Sequence, residues 1–315
     1  MNVLSKKILT GLIVGAMSIS VITPSIHAES QSAQKEANST ALMIEKNTGI
    51  DDILNNFKID SKETEKKIIK NELSTVEIPT TLNSNPITIK DRTESLHISL
   101  PDLNSSEVIQ TNNGTLVYQD EKQPADLAVQ TTKDGVRSLI KIKNQTAPKE
   151  YEFIIDIPNG GKLVTAAEYL GEEYDTGEVF IVDTENIIQS VFMPAWAKDA
   201  NGKSVSTHYK VDGNKLIQVV DFDENTAFPV IADPDWIKIG KCSAALAAFV
   251  GGNLIAVSKL LKIKKYINAL GGFGEAAKLL VQASTWEERM RVGGQALVGL
   301  AGELTGATGV WAACK

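Results

Sequence analysis

The sequence predicts a multidomain chain, β first and α last: an antiparallel β-sandwich-like domain followed by a small disulfide-closed helical domain. Three observations carry that expectation. Between about 76 and 232, short runs of alternating apolar and polar residues are separated by Asn-Gly or Asp-Gly pairs, as half-buried strands joined by tight hairpins require. The last 80 residues lose this alternation and read as helices. The chain's only two cysteines, Cys242 and Cys314, bracket that helical stretch.

Lys6 and Lys7, an apolar run over 8–21 and a small residue at Ala28 form a three-part export signal. Residues 1–28 are therefore predicted to be a signal peptide, and the mature protein to be secreted and extracellular. Gly11, Gly15, Ser18, Ser20 and Pro24 shorten the apolar run below the roughly 20 residues that span a bilayer. Residues 29–75 are polar and mixed, and are expected to be a flexible pro-segment with a short helix begun by Asp51 ahead of Ile53, Leu54 and Phe57. Strands are predicted at 96–100, 138–142, 151–157 and 179–182. The clearest hairpin runs from 205–211 through Asp212-Gly213-Asn214 into 216–222. At Ala232-Asp233-Pro234-Asp235 the pattern ends. Because proline cannot donate to a strand ladder, this is the expected domain boundary and processing region, which leaves 76–232 as the β domain and 236–315 as the helical one.

Residues 243–258 contain no charge, and Lys259, Lys262, Lys264 and Lys265 follow on the same predicted helix. Gly271-Gly272 breaks it, and a second helix is expected over 274–282. Ser284-Thr285-Trp286-Glu287 has the capping-box pattern and opens a third. At 100° per residue Trp286, Met290, Leu297, Leu300, Ala301 and Leu304 share one face, with Glu287, Glu288, Arg291 and Gln295 opposite. From Trp236 onward ten Lys and Arg oppose four Glu, a net +6. The whole chain is −7 and the signal carries +2, which leaves −15 for residues 29–235. A basic tail thus follows an acidic body. In an exported protein Cys242 and Cys314 are expected to pair, closing a loop worth roughly 4 kcal/mol by chain entropy. The competing reading is a catalytic thiol plus a spare, but neither cysteine has a C-x-x-C context.

The stretch from Met193-Pro194-Ala195-Trp196-Ala197-Lys198-Asp199-Ala200-Asn201-Gly202, through Tyr209-Lys210-Val211-Asp212-Gly213, to Phe228-Pro229-Val230-Ile231-Ala232-Asp233-Pro234 resembles a β-rich module recurring in secreted proteins of Gram-positive bacteria. The resemblance spans about 90–235 and implies no catalytic residues. The last 80 residues are similar to disulfide-closed helical bacteriocins, on the strength of the two cysteines and the cationic and apolar helices. This likeness implies release from a larger exported precursor.

The sequence contains no H-E-x-x-H, no G-x-S-x-G and no Cys/His set with zinc spacing. His97 and His208 sit inside predicted strands, where satisfied strand histidines are the simpler reading. The acidic runs 221–225 and 199–202 have oxygens for calcium but lack the loop spacing of a dedicated site, and turn chemistry accounts for them. No metal and no cofactor are expected. Nucleic acid is not an expected partner, because the basic residues of the tail have few aromatics beside them and the rest of the chain is acidic. A helix apolar all round in its first half is either buried in a core or inserted in lipid, and lysines attract anionic headgroups. The expectation is therefore a non-enzymatic, secreted precursor of a membrane-active antibacterial helical domain. Its partners would be a bacterial membrane or envelope surface and a processing protease. Lys259, Lys262, Lys264 and Lys265 would attract the membrane, and Phe249, Leu254, Ile255, Trp286 and Trp311 would insert. The alternative is a non-catalytic extracellular binding or structural protein of the cell envelope, and a third reading is a hydrolase without a visible motif.

Overall fold

The structure, a computed structural model, describes residues 25–49, 53–54, 66–70, 74–80, 86–90, 95–103, 107–132, 135–172, 175, 177–186, 188–237, 245–246, 249–250 and 257–314. Residues 1–24 of the expected signal peptide 1–28, together with Cys242, Leu254 and Ile255, lie outside them.

Seven strands form one antiparallel sheet: β1 (Lys66–Lys70), β2 (Thr75–Pro79), β3 (Ile87–Lys90), β4 (Ser95–Ser99), β9 (Glu150–Asp156), β15 (Lys215–Val220) and β14 (Thr207–Asp212), in that order. Ten strands form the second. Its main path is β10 (Lys162–Thr165), β11 (Val179–Val182), β12 (Ile188–Phe192), β17 (Asp235–Ile237), β8 (Gly135–Ile142), β7 (Ala125–Thr131), β6 (Leu116–Gln119) and β5 (Glu107–Gln110). β16 (Val230–Asp233) pairs with β8 and with β13 (Trp196–Lys198). The expected hairpin is present: Asp212 faces Lys215 in the register of β14 and β15, and Gly213 takes φ +59° in the turn.

Burial patterns say how the two sheets are covered. β9 alternates buried and exposed residues, so the seven-stranded sheet has one wet face. β6, β7, β11 and β16 are buried at every position, which requires cover on both faces of the ten-stranded sheet. The partition follows the two-residue period of a strand. Leu127, Val129, Val179 and Ile181 join the core between the sheets. Ala128 points the other way into a cluster with α1 (Ser25–Thr48), and Phe180 and Val182 into one with the C-terminal helices. The molecule is therefore three layers deep, sheet on sheet on helices.

The N-terminal part of the chain differs from the expected flexible pro-segment. α1 is 24 residues long and buries Ala33, Ala37, Ala41 and Ile44, spaced to share one helix face. Their small size concealed the stripe in the sequence but lets the helix lie close to the sheet. Polar contacts fix it there. Lys141 reaches Glu36 at 3.3 Å and Asp126 at 3.7 Å, Lys143 reaches Asp126 at 2.7 Å, and Gln119 Nε2 donates to the Ala33 carbonyl at 2.9 Å. Burial pushes the Asp126 carboxyl up, and Lys143 beside it pulls the other way. The helix expected from Asp51 also differs. Ile53 bridges to Thr132 and the Leu54 amide donates to Thr131, so this pair is extended along the sheet.

The expected boundary at Pro234 is another correction. Proline ends β16 without ending the sheet, since β17 resumes pairing at once with both β8 and β12. The Pro234 carbonyl accepts from the Ser138 amide at 3.2 Å. Ala232 and Asp233 are fully buried, so this segment is no exposed linker.

Candidate membrane-facing surface

The C-terminal helices are α3 (Val257–Ala269), α4 (Phe273–Gln282), α5 (Trp286–Glu303) and α6 (Thr308–Ala313). α2 (Ala166–Leu170) is a short turn beside β10. Gly271 and Gly272 adopt φ +90° and +106° between α3 and α4, backbone that L residues rarely take, so the expected break is where these glycines stand.

Ile263 and Ile267 of α3 with Leu270 just after it, Ala276, Ala277 and Leu280 of α4, and Leu297, Leu300 and Ala301 of α5 with Leu304 at its C-cap form one apolar core. α5 crosses α3 closely: a β-carbon on Gly299 would run into the Tyr266 ring. This core continues into the sheet through Val164, Phe180, Val182, Ile188 and Val191. Two further contacts dock α4. A β-carbon at Gly274 would strike Met193 Sδ, and one at Gly272 would collide with the buried Glu178 carboxylate. That carboxylate thus lies at the N-terminus of α4, where the helix dipole favours negative charge.

The expected membrane residues separate into three groups. Lys262 and Lys265 are exposed and Lys259 is half-exposed, with Lys262 3.5 Å from Glu303 of the same helical unit. Lys264 is only 5% exposed. At 100° per residue it lies 60° round the helix from Ile267, on the flank of the inward face, where packing of the neighbouring elements buries it. Trp286 is 59% exposed, whereas Trp311 and Phe249 are half-buried against the helical core. Trp311 Nε1 donates to the Leu304 carbonyl at 3.0 Å, and the Arg289 guanidinium lies 4.9 Å from its ring. Val281 and Val292 are exposed beside Trp286 in sequence, and their apolar surface was not anticipated. Arg291 is exposed as well.

The predicted single face of the third helix divides at Gly294, which takes φ +58° and ψ −151° inside α5. That conformation resets the helical phase, so Leu297, Leu300 and Ala301 are buried while Trp286 turns outward. The capping box is present one residue later than read. The Thr285 hydroxyl accepts from the Glu288 amide at 3.2 Å, and Glu288 Oε2 accepts from the amides of Thr285 at 3.0 Å and Ser284 at 2.9 Å. The Thr285 amide leads the contacts that hold the Glu288 carboxyl below the usual range.

Cys314 is buried and is not a free thiol. The acidic runs serve as turn caps: Asp199 Oδ1 accepts from the amides of Asn201 and Lys203, and Asp223 Oδ1 from that of Asn225. His97 Nδ1 is 3.1 Å from the Thr88 hydroxyl across the β3–β4 pair, and His208 is exposed on β14. Among the described residues no helix is long and apolar enough to cross a membrane. No protein-family model and no curated protein matches the chain.

Proposed function

We propose that this chain is an exported, non-enzymatic antibacterial precursor. A two-sheet scaffold carries a membrane-active helical module, stapled by Cys242 and Cys314, whose apolar faces stay covered until it meets a bacterial envelope. The supporting observation is that the helices share one apolar core with a single face of the sheet while Lys259, Lys262, Lys265, Val281, Trp286 and Val292 look outward. Magnitudes decide the order of events. Each of the five sheet side chains covering the helices contributes roughly 1.5–3 kcal/mol by burial, together on the order of 10 kcal/mol as an upper bound. Headgroup attraction supplies only about 1 kcal/mol per lysine. Charge therefore brings the module to the surface, and exchange of the sheet for lipid completes its transfer. The burial of Ala232 and Asp233, with 230–237 in strands of the sheet, favours presentation on the scaffold over release by cutting there.

Dye release from phosphatidylglycerol vesicles, using the chain from residue 29 onward, tests the reading. Gly274→Val, which crowds Met193 and Val191 beneath α4, is expected to leak vesicles about tenfold more readily than the unmodified chain, as a weakening of the dock by about 1.4 kcal/mol predicts. Phosphatidylcholine vesicles should stay sealed. If neither protein opens anionic vesicles, the antibacterial reading fails. The continuous core between sheet and helices would then favour the alternative, a non-catalytic binding or structural protein of the cell envelope.

A further inference from the structure

A cavity of about 270 Å³ opens on the helix-covered face of the ten-stranded sheet, where α1 ends over β8 and β13. Asn47, Thr48, Arg137, Trp196 and Lys198 line it. Two of the five lining residues are cations and none is acidic. Arg137 is 9% exposed, so its guanidinium is held by the surrounding protein. Lys198 Nζ stands 5.7 Å from the centre of the Trp196 ring and donates to the Asn47 carbonyl at 3.5 Å. An ammonium has three protons, and this long contact occupies one. The fully buried Asp233 pairs with Trp196 in the β13–β16 register. It lies on the same sheet face as Ile231, two residues earlier, which packs under α1. Asp233 is in register with Trp196 and Asp235 with Arg137, so the cation left to meet a single anion is Lys198.

Volume and lining narrow the ligand further. A bare carboxylate or phosphate leaves most of the space empty, and the cavity is slightly smaller than the roughly 300–1,000 Å³ of sites for larger ligands. The half-buried Trp196 supplies an apolar face, on which the C–H side of a ring can lie, while Asn47 and Thr48 offer polar groups for ring hydroxyls. We propose that this cavity binds a carboxylated sugar of uronic-acid type, its carboxylate on Lys198 and its ring on Trp196. The site belongs to the scaffold and is independent of what the helical module does at a membrane.

Calorimetric titration of D-glucuronate into the chain from residue 29 onward is the test, with D-glucose and inorganic phosphate as comparison probes. The expected result is saturable glucuronate binding with a Kd below about 1 mM, weakened about tenfold or more by Lys198→Gln and by Trp196→Leu but retained by Lys198→Arg. Glucose should not bind, and phosphate should bind at least about tenfold more weakly than glucuronate. Failure of glucuronate to saturate up to about 10 mM overturns the proposal, as does equal binding of glucose. Phosphate binding as tightly as glucuronate also overturns it, because the ring would then contribute nothing. Lys198→Arg losing as much affinity as Lys198→Gln would remove the charge argument.

Discussion

Thr285 and Glu288 illustrate how much one turn of helix depends on two side chains. Each satisfies the other's amide at the start of α5, and loss of such a cap costs about 1 kcal/mol. Thr285→Ala should lower stability to urea by about that amount, and the Glu288 carboxyl, followed by NMR titration, should move back toward its ordinary range. The sign of the pH effect follows from the lowered Glu288 value. The cap's contribution is complete above the ordinary glutamate range, near about 4.3, and is lost as pH falls through the lower folded value. A Glu288 midpoint at or above the ordinary glutamate value of about 4.3 would refute the assignment. The capping motif was legible in the sequence, but as Ser284 with Glu287, and the backbone path sets it one residue on, at Thr285 with Glu288. Asp126 was not legible. It is a buried carboxylate held by Lys141 and Lys143 from the neighbouring strand, and Lys141 also reaches Glu36 of α1, partners that no local spacing reveals.

Helices α1 and α5 show where periodic reasoning succeeds and where it fails. The stripe Ala33, Ala37, Ala41 and Ile44 has the right spacing, yet alanine contributes so little apolar contrast that the segment reads as polar. In α5 the apolar spacing is strong, but a wheel drawn through Gly293-Gly294 assumes a continuous helix, and the kink at Gly294 rotates Trp286 away from Leu297. Close approach is the other helix-scale property hidden from the pattern. Gly299 lets α5 rest on the ring of Tyr266, and an added side chain there must displace an aromatic group within a packed core. Gly299→Val is expected to cost about 1–3 kcal/mol in chemical denaturation, the range for overpacking. Gly302, whose β-carbon would meet nothing within 4 Å, should accept alanine with little change. Equal effects at the two positions would show that the α3–α5 crossing is wrong.

The whole molecule is organised by the ten-stranded sheet, whose two faces serve different layers. Because β16 and β17 bring 230–237 into that sheet, limited proteolysis of the native chain should produce no cut within 230–237, and cuts there should appear only under conditions that unfold the sheet. A clean native cut at Asp233 to Asp235 would restore the linker reading. The sequence by itself determined the order of β before α, the 205–222 hairpin, the glycine break at 271–272 and the charge division between body and tail. Strand alternation, turn residues and charge are local properties, carried by neighbours in the chain. Only the tertiary structure decided that α1 covers the sheet, that Ala232 and Asp233 are interior, that Lys264 is buried while Trp286 is exposed, and that Arg137, Trp196 and Lys198 meet at the end of α1. Those outcomes depend on which apolar faces find each other across long separations, and burial of a face is settled by its partner rather than by its own pattern.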